Sequence, residues 1–510
     1  MVGRLVLSVG LLAGGLMVLP VLRSAPEAGA APAAAGGSCW APSPHGFADV
    51  PGGSYYDTAV AWLVEQGVTT GTGPGVYSPN KTVTRAQMAV FLWRNAGSPA
   101  PGGPHGFTDV PGGSYYDTAV AWLVEHGITA GTAPGVFSPN AQVTRAQMAV
   151  FLWRASCGTP QVIAVSAGSY HSCALKQNGT AACWGYNGYG GLGDGNSASA
   201  RYAPAPVVGL TGASSIAAGD YHTCSVDVAG AATCWGHNNV GQLGDGTTIQ
   251  RNTPTQVTGL TGVVSITAAG YHTCALKQDG TVSCWGLNES GQLGDGTTTD
   301  RLTPTPVTGL TDVTAISGDW SHTCAVKQDG TVSCWGLNES GQLGDGTITD
   351  RLTPTPVTGL TDVTAIDAGG FHTCATKQDG TVSCWGNNGD GQVGDGTTTD
   401  RLLPTGVSGL AEVTSINAGR SHTCATKQDG TAACWGSNYS GRLGDGTTTQ
   451  RSTPTPVFGL SGAVSITSGD EHTCAMQLGG TVSCWGWNNA GQLGDGTATT
   501  RLTPTPVVGL

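Results

Sequence analysis

Between residues 162 and 507 short apolar runs alternate with Gly- and Thr-rich stretches on a fixed beat. A histidine marks it, at His171, His222, His272, His322, His372, His422 and His472; the first interval is 51 residues and the rest are 50. One unit reads VVSI from Val263, HTCALK from His272, TVSCWG from Thr281 and TPTPV from Thr303. Each run is short, β-branched or aromatic, and bounded by Gly, Pro, Asn or Asp, which predicts four strands per unit. Four strands in each of seven units predict a mostly β chain folded as a seven-bladed β-propeller of four-stranded blades. A lone blade buries neither face, whereas a ring of seven buries both and hides its edges. The first unit opens with VIAV at Val162 and the last closes with Pro504-Thr505-Pro506-Val507, so the two ends are expected to complete one shared blade.

Upstream the period changes. Residues 46–97 and 106–157 carry one pattern twice, GF(A/T)DVPGGSYYDTAVAWLVE followed by VTRAQMAVFLWR, at an offset of 60 residues. Tyr56 to Val64 has apolar residues at helical spacing and stops at Gly67; Gly71 to Asn80 is turn chemistry; a second helix is predicted from Thr84 through Trp93. This makes a small all-α pair ahead of the propeller. The domain boundaries are 1–35 signal peptide, 36–45 linker, 46–97 first helical module, 98–105 Pro/Gly-rich linker, 106–157 second module and 158–510 propeller.

Residues 1–35 read as a secretion signal: Arg4 opens it, Leu5 to Leu22 is apolar, and Ala28-Gly29-Ala30 or Ala33-Ala34-Ala35 offers a cleavage site. The apolar run is also long enough for an uncleaved membrane anchor.

Export changes how the 16 cysteines are read. Every propeller unit holds Cys-x9-Cys, which predicts seven disulfides: Cys173 with Cys183, Cys224 with Cys234, Cys274 with Cys284, Cys324 with Cys334, Cys374 with Cys384, Cys424 with Cys434, and Cys474 with Cys484. A three-residue loop at Gln278-Asp279-Gly280 pairs Lys277 with Thr281, and counting outward sets Cys274 opposite Cys284. That is a non-hydrogen-bonded pair, with Cα atoms about 4.5 Å apart, within disulfide range. Each bridge contributes roughly 2–3 kcal/mol. The rival, a metal site of His272, Cys274 and Cys284, is allowed by geometry, but seven identical sites in an oxidising compartment disfavour it. Cys39 and Cys157 flank the helical modules and are candidates to pair with each other.

Charge narrows the partners. The net charge is −12. Residues 1–157 hold seven basic and seven acidic side chains; residues 158–510 hold 14 basic and 26 acidic, so the whole excess lies on the propeller. An acidic surface repels phosphate backbones, which argues against nucleic acid.

The helical pair resembles the S-layer homology module. The matching residues are Phe47-Ala48-Asp49-Val50, the Tyr-x-x-Ala-Val helix, Tyr77-Ser78-Pro79-Asn80 and Thr84-Arg85-Ala86-Gln87, with Asp109, Phe137-Ser138-Pro139-Asn140 and Thr144-Arg145-Ala146-Gln147 in the second copy. The resemblance implies attachment to an anionic cell-wall polysaccharide, with Arg85, Arg145, Thr84, Thr144, Asp49 and Asp109 as the candidate glycan-binding set. Gln stands where the family motif has Glu, and there are two modules where the family usually has three. Thr84 with Gln87 also reads as a capping box. Arg85 in a first helical turn opposes the helix dipole, which a docked anion or a nearby Asp would resolve.

The seven-fold unit resembles the regulator of chromosome condensation repeat, through Ala-Gly-x-x-His-[Ser/Thr]-Cys, Asp-Gly-Thr-Val, Cys-Trp-Gly-x-Asn and Gly-Gln-Leu-Gly. The resemblance implies the propeller but not a function. Export and acidity argue against the small-GTPase role of the nuclear founding member; secreted propellers of this type include a beta-lactamase inhibitory protein. In a meander the turn before His and the loop after Trp-Gly share one face, and variation between units concentrates there. Tyr170, Tyr221, Tyr271, Trp320, Phe371, Tyr186, Tyr189, Tyr439 and Trp487 are the candidate binding face, with Arg420, Glu471 and His237 among the other variable positions. The Gly-Asp-Gly loops lack the oxygen ligands of a calcium site and read as turns. Asp and His are taken to recur only at equivalent positions, so no unique catalytic constellation, metal or cofactor is expected. The favoured function is a wall-anchored binding protein for an extracellular protein or glycan; the alternatives are a secreted inhibitor or regulator of an extracellular enzyme, a structural surface-layer component, or a glycan-acting enzyme, whose sign would be a unique carboxylate pair at the propeller mouth.

Overall fold

In the computed structural model the described residues are 46–50, 60–61, 63–64, 76–77, 82–95, 100–101, 103–125, 136–140, 142–144 and 161–510 except 198–199 and 478–479. The signal and Cys39–Cys157 readings fall outside them.

The helical modules interlock. β1 (Thr82–Thr84) pairs antiparallel with β2 (Gln142–Thr144), Thr82 opposite Thr144 and Thr84 opposite Gln142. The all-α expectation missed this ribbon; Thr84 ends a strand, and helix α1 begins one residue later (Arg85–Asn95). Met88, Ala89 and Leu92 of α1 pack with Ala119, Val120 and Leu123 of α2 (Asp117–Glu125) and with Phe137. The second helix of one module thus shares a core with the first helix of the other.

The propeller has seven four-stranded antiparallel sheets. In blade 1 these are β3 (Val162–Ala167), β4 (His171–Lys176), β5 (Ala181–Gly185) and β6 (Arg201–Pro206), and the order repeats through β30 (Arg501–Pro506). Each blade is one contiguous unit. The expected shared blade does not exist: blade 1 takes all four strands from residues 162–206 and blade 7 all four from 463–506. The units already contain four strands each, so no strand is left over to lend.

The hairpin register is as expected. Leu276 faces Val282 and Cys274 faces Cys284; Lys277 N donates to Thr281 O, and Gly280 N to Lys277 O, with Gly280 at φ +75°. All seven disulfides form as paired from the sequence. Cys173 bonds Cys183, Cys224 bonds Cys234, Cys274 bonds Cys284 and Cys324 bonds Cys334, each with Cα atoms 4.1 Å apart. Cys374 bonds Cys384, Cys424 bonds Cys434 and Cys474 bonds Cys484 at the same 4.1 Å. These sulfurs are therefore structural and belong to no ligand site. They lie between blades, where Cys224 and Cys234 of blade 2 share a buried cluster with Trp285 of blade 3. The glycine after each Trp is required, because at Gly286 (φ +101°) a Cβ would lie 2.5 Å from Tyr271 O.

One hydrogen-bonded clasp joins every pair of neighbouring blades. His322 Nε2 meets Thr373 Oγ1 of the next blade at 2.9 Å, Thr373 Oγ1 donates to Gln342 O at 2.8 Å, and Trp385 Nε1 donates to the same carbonyl at 2.9 Å. Since the Thr proton goes to the carbonyl, its oxygen accepts from the ring, which fixes the Nε2–H tautomer. The ring closes identically: His472 Nε2 meets Ser172 Oγ at 2.7 Å, and Ser172 Oγ and Trp184 Nε1 both donate to Gln492 O. Burial pushes the histidines down, His171 and His272 to about 4 and His222, His322, His372 and His472 to about 3. These histidines are structural, each bonded to a hydroxyl of the neighbouring blade.

Candidate functional site

The first strand of every blade lines a central channel of about 230 Å³, and its mouth opens among the turns that precede the clasp histidines. The loops after Trp-Gly lie on the same side, as Leu287 N donates to Tyr271 O at 2.9 Å. We call this the loop face and the opposite side, with the Gln-Asp-Gly turns, the hairpin face.

Most of the candidate aromatics meet on the loop face. Tyr170 of blade 1 stacks on Tyr221 of blade 2 with centroids 5.1 Å apart and reaches Trp487 of blade 7 at 6.5 Å. Tyr186 and Tyr189 close on the same pair, Tyr189 lies 4.4 Å from His237, and Tyr221 continues to Tyr271 of blade 3 at 6.2 Å. One aromatic arc therefore runs across blades 7, 1, 2 and 3. Burial raises the phenol pKa values of Tyr170, Tyr221 and Tyr271. Tyr186 and Tyr189 stay 38% and 36% exposed. Tyr439, 82% exposed, has no place in these ring contacts.

A second group covers blades 4 to 6. Trp320 lies 4.7 Å from Phe371, and the Arg420 guanidinium sits 4.2 Å over the Trp320 ring. Trp320 is one residue out of step with the tyrosines: the first strand of blade 4 extends to Asp319, Asp319 pairs with His322, and Trp320 takes φ +30° in the two-residue turn. Gly270 and Gly370 make the room, since a Cβ on either would press on Trp320 or Arg420.

Four buried or half-buried carboxylates gather at the channel, and two of them, Asp319 and Asp367, contradict the expectation that acids recur only at equivalent positions. Asp220, Asp319, Asp367 and Asp470 line the channel: Asp220 and Asp470 share the position two before the histidine with Ser, Gly, Trp or Arg in the other blades, whereas Asp319 stands alone among Gly and Ala and Asp367 among Ser, Ala, Thr and Asn. Ser169 Oγ contacts Asp220 Oδ1 and also Asp470 Oδ1 at 2.9 Å, and Arg420 pairs with Asp470 Oδ2 at 3.2 Å. One hydroxyl proton cannot serve both carboxylates, so the geometry calls for a proton on one of them. Burial first, then Asp470, pushes Asp220 up to about 7; burial likewise raises Asp367 to about 7 and Asp319 well above the usual range. The sequence signal was present, as departures confined to one or two blades, but it looks like drift until the ring brings those blades together.

The Gly-Asp-Gly acids are structural. Asp295 accepts from Thr297 N and Oγ1 and pairs with Arg301 at 2.6 Å, and Asn288 Nδ2 reaches Asp295 at 3.2 Å. Burial opposes ionisation, but these donors outweigh it and the net shift is downward. Among the described residues no cluster of three or more His, Cys, Asp or Glu is arranged to hold a metal.

In the helical modules Asp49 Oδ1 accepts from Tyr77 N at 2.8 Å, and the Asp109 carboxylate accepts from Phe137 N and Ser138 N at 2.7 and 2.6 Å. Both acids pin the loop 28 residues downstream. Arg85 Nε donates to Phe137 O at 2.7 Å and its guanidinium lies 4.6 Å over the Phe137 ring, within the field of Asp109. Ala86 N, at the start of α1, donates to Pro139 O. The charge conflict at that helix start is met by the neighbouring module. Arg145 lies outside the described residues.

Known proteins carry the same parts. The S-layer homology domain matches residues 46–89 and 106–149. An RCC1-like domain matches 135–370, and the regulator of chromosome condensation (RCC1) repeat matches 379–426 and 429–476. An endoglucanase of a Bacillus sp. is 38% identical over 109 residues, 21% of this chain and 11% of that protein. The surface-layer 125 kDa protein of Lysinibacillus sphaericus is 38% identical over 98 residues, 19% and 8%. The ultraviolet-B receptor UVR8 of Arabidopsis thaliana is 40% identical over 91 residues, 17% and 20%. The chain thus spans a fifth or less of each of these relatives. Among solved structures, yeast RCC1 (Prp20) bound to Kap60 superposes with TM-score 0.57 at 22% identity, covering 69% of this chain and 85% of that one. Human WBSCR16 does so with TM-score 0.57 at 22%, covering 62% and 87%. At such identity they share the fold alone. The chain is therefore built of two S-layer homology domains followed by a seven-bladed propeller of RCC1 repeats.

Proposed function

We propose that this is an exported cell-surface binding protein, held on cell-wall polysaccharide by its S-layer homology domains and displaying the loop face of the propeller to an extracellular protein or glycan. The aromatic arc carries the reading: rings of four blades converge on one face, partly exposed, where the rest of the fold repeats with little change. The surface-layer relative supports the location. Binding rather than chemistry is favoured because both oxygens of Asp470 are engaged within the protein. The full chain is expected to pellet with purified cell-wall sacculi and to stay soluble once the sacculi are stripped of secondary polysaccharide; a chain starting at residue 158 is expected to stay soluble with both. Equal pelleting on stripped sacculi would overturn the anchor.

The Asp220–Asp470 pair at the channel mouth favours a second reading, action on a glycan. Release of reducing ends from wall polysaccharide that Asp220→Asn abolishes would establish it in place of the first.

A further inference from the structure

The loop face is not evenly charged, and the imbalance identifies what fits it. All seven Gly-Asp-Gly acids are matched by an arginine six or seven residues on, from Asp194 with Arg201 to Asp495 with Arg501. These pairs cancel. The hairpin face sets five lysines against eight acids. The remaining nine of the twelve excess negative charges belong to the channel and the loop face, where only Arg420 and Arg442 oppose eleven acids. Both are spent internally, Arg420 on Trp320 and Asp470 and Arg442 on Asp470 O.

The outer part of this acidity falls on three consecutive blades. Blades 3, 4 and 5 carry Glu289, Glu339 and, one residue further along its loop, Asp390, and they carry Asp300, Asp350 and Asp400 at a second position. Asp300, Asp350 and Asp400 each accept one loop amide, from Asn288, Asn338 and Asn388, and remain exposed. The other four blades have Ala200, Gln250, Gln450 and Thr500 at the second position and no charge at the first. The acid arc begins on blade 3, where the aromatic arc ends with Tyr271. Ring faces and carboxylates side by side attract the same group, a cation with an apolar stem. The protein itself shows the mode at the centre of the face, where Arg420 lies over Trp320 and pairs with Asp470.

We infer that the partner of the loop face is a protein surface rich in arginine and lysine, its cationic side chains lying across the aromatic arc toward the carboxylates of blades 3 to 5. This rests on the binding-face reading and narrows it: an anionic polysaccharide is repelled, and a neutral glycan would leave the acid arc unused.

The test uses the full chain and octa-arginine peptide as the probe, with affinity from calorimetry and tryptophan fluorescence at two salt concentrations. Three substitutions together, Glu289→Gln, Glu339→Gln and Asp390→Asn, are expected to weaken binding about tenfold and flatten its salt dependence. Tyr189→Ser is expected to weaken it severalfold with the salt dependence kept. The control removes the same charge from the hairpin face, Asp279→Asn, Asp329→Asn and Asp379→Asn, and is expected to change affinity less than twofold. Asn fits that turn, since Asn178 already makes the equivalent bond to Thr180 N in blade 1. No binding of the peptide, or equal weakening by the two triple variants, overturns the inference. Binding of chitohexaose to the arc, unchanged in the acid variant, also overturns it while leaving the binding face standing, and wall pelleting is independent of all of these results.

Discussion

Acidification should loosen this propeller through its clasps. In the folded state the seven clasp histidines are buried and neutral, with pKa values of about 3 to 4 where a value is resolved and well below normal for His422. In the unfolded chain they titrate near 6.5. A depressed pKa gives stability that is present above 6.5 and lost as pH falls toward 4. At pH 5 the unfolded chain binds nearly one proton per histidine and the folded chain almost none, an uptake of roughly six to seven protons on unfolding. The channel acids work the other way. Asp220 and Asp367, raised to about 7, and Asp319, raised well above the usual range, hold protons in the fold at pH 5 and release them on unfolding; the stability this gives is lost for Asp220 and Asp367 as pH rises through about 7. About three protons are returned, leaving a net uptake of roughly four. At 1.36 kcal/mol per proton per pH unit the slope near pH 5 is about 5 kcal/mol per unit, and stability peaks between about pH 6.5 and 7. Guanidinium unfolding at pH 7, 6 and 5, with proton uptake from calorimetry in two buffers of different ionisation enthalpy, measures both numbers. Stability that is flat or rising from pH 7 to 5, or an uptake below one proton, would refute the tautomer and burial argument together.

Three further outcomes are expected. Thr373→Val leaves His322 Nε2–H buried without its acceptor and should cost about 2–3 kcal/mol in chemical denaturation, against less than about 0.5 for Thr305→Val, a half-buried residue whose hydroxyl bond is open to solvent; equal effects would dismiss the clasp. Replacing Cys274 and Cys284 together by Ala should cost about 2–3 kcal/mol or more, read as a lowered Tm, because the bridge is lost and the sulfurs also fill the seam against Trp335. Gly286→Ala should destabilise by more than about 1 kcal/mol, since its Cβ would meet backbone of the adjacent strand at φ +101°; a neutral result by thermal melt would refute that contact.

What could be read before folding followed from distance along the chain. The x9 spacing and the Asp-Gly turn determine the register that puts Cys274 opposite Cys284, because a hairpin is local. Closure was misread because it depends on His472, Ser172 and Gln492, groups about 300 residues apart whose pairing no spacing reveals. The Thr or Ser after each His looked like strand filler, yet its hydroxyl is the centre of the clasp. Asp220 and Asp470 were missed for a related reason: they share one repeat position, two before the histidine, and only the ring sets both against Ser169, which holds that position in blade 1. Trp320 shows the limit of alignment by the His marker, because one residue of extra strand moves it out of register with Tyr271. In the helical modules the Phe-x-Asp-Val motif was legible as a motif, but the task of Asp49 and Asp109, holding a loop 28 residues away, was not.

Because every blade is contiguous in sequence and the last junction uses the same clasp as the other six, the ring has no privileged seam. Val162 and Leu510 share one apolar cluster, so a short peptide joining the two ends spans little distance. The propeller is then circularly permutable, with new termini at any Thr-Gly-Leu connection on the hairpin face. The same property lets a gene gain or lose a whole 50-residue unit by recombination without stranding half a blade, so loop-face side chains can be shuffled in complete cassettes while the clasp stays common to all.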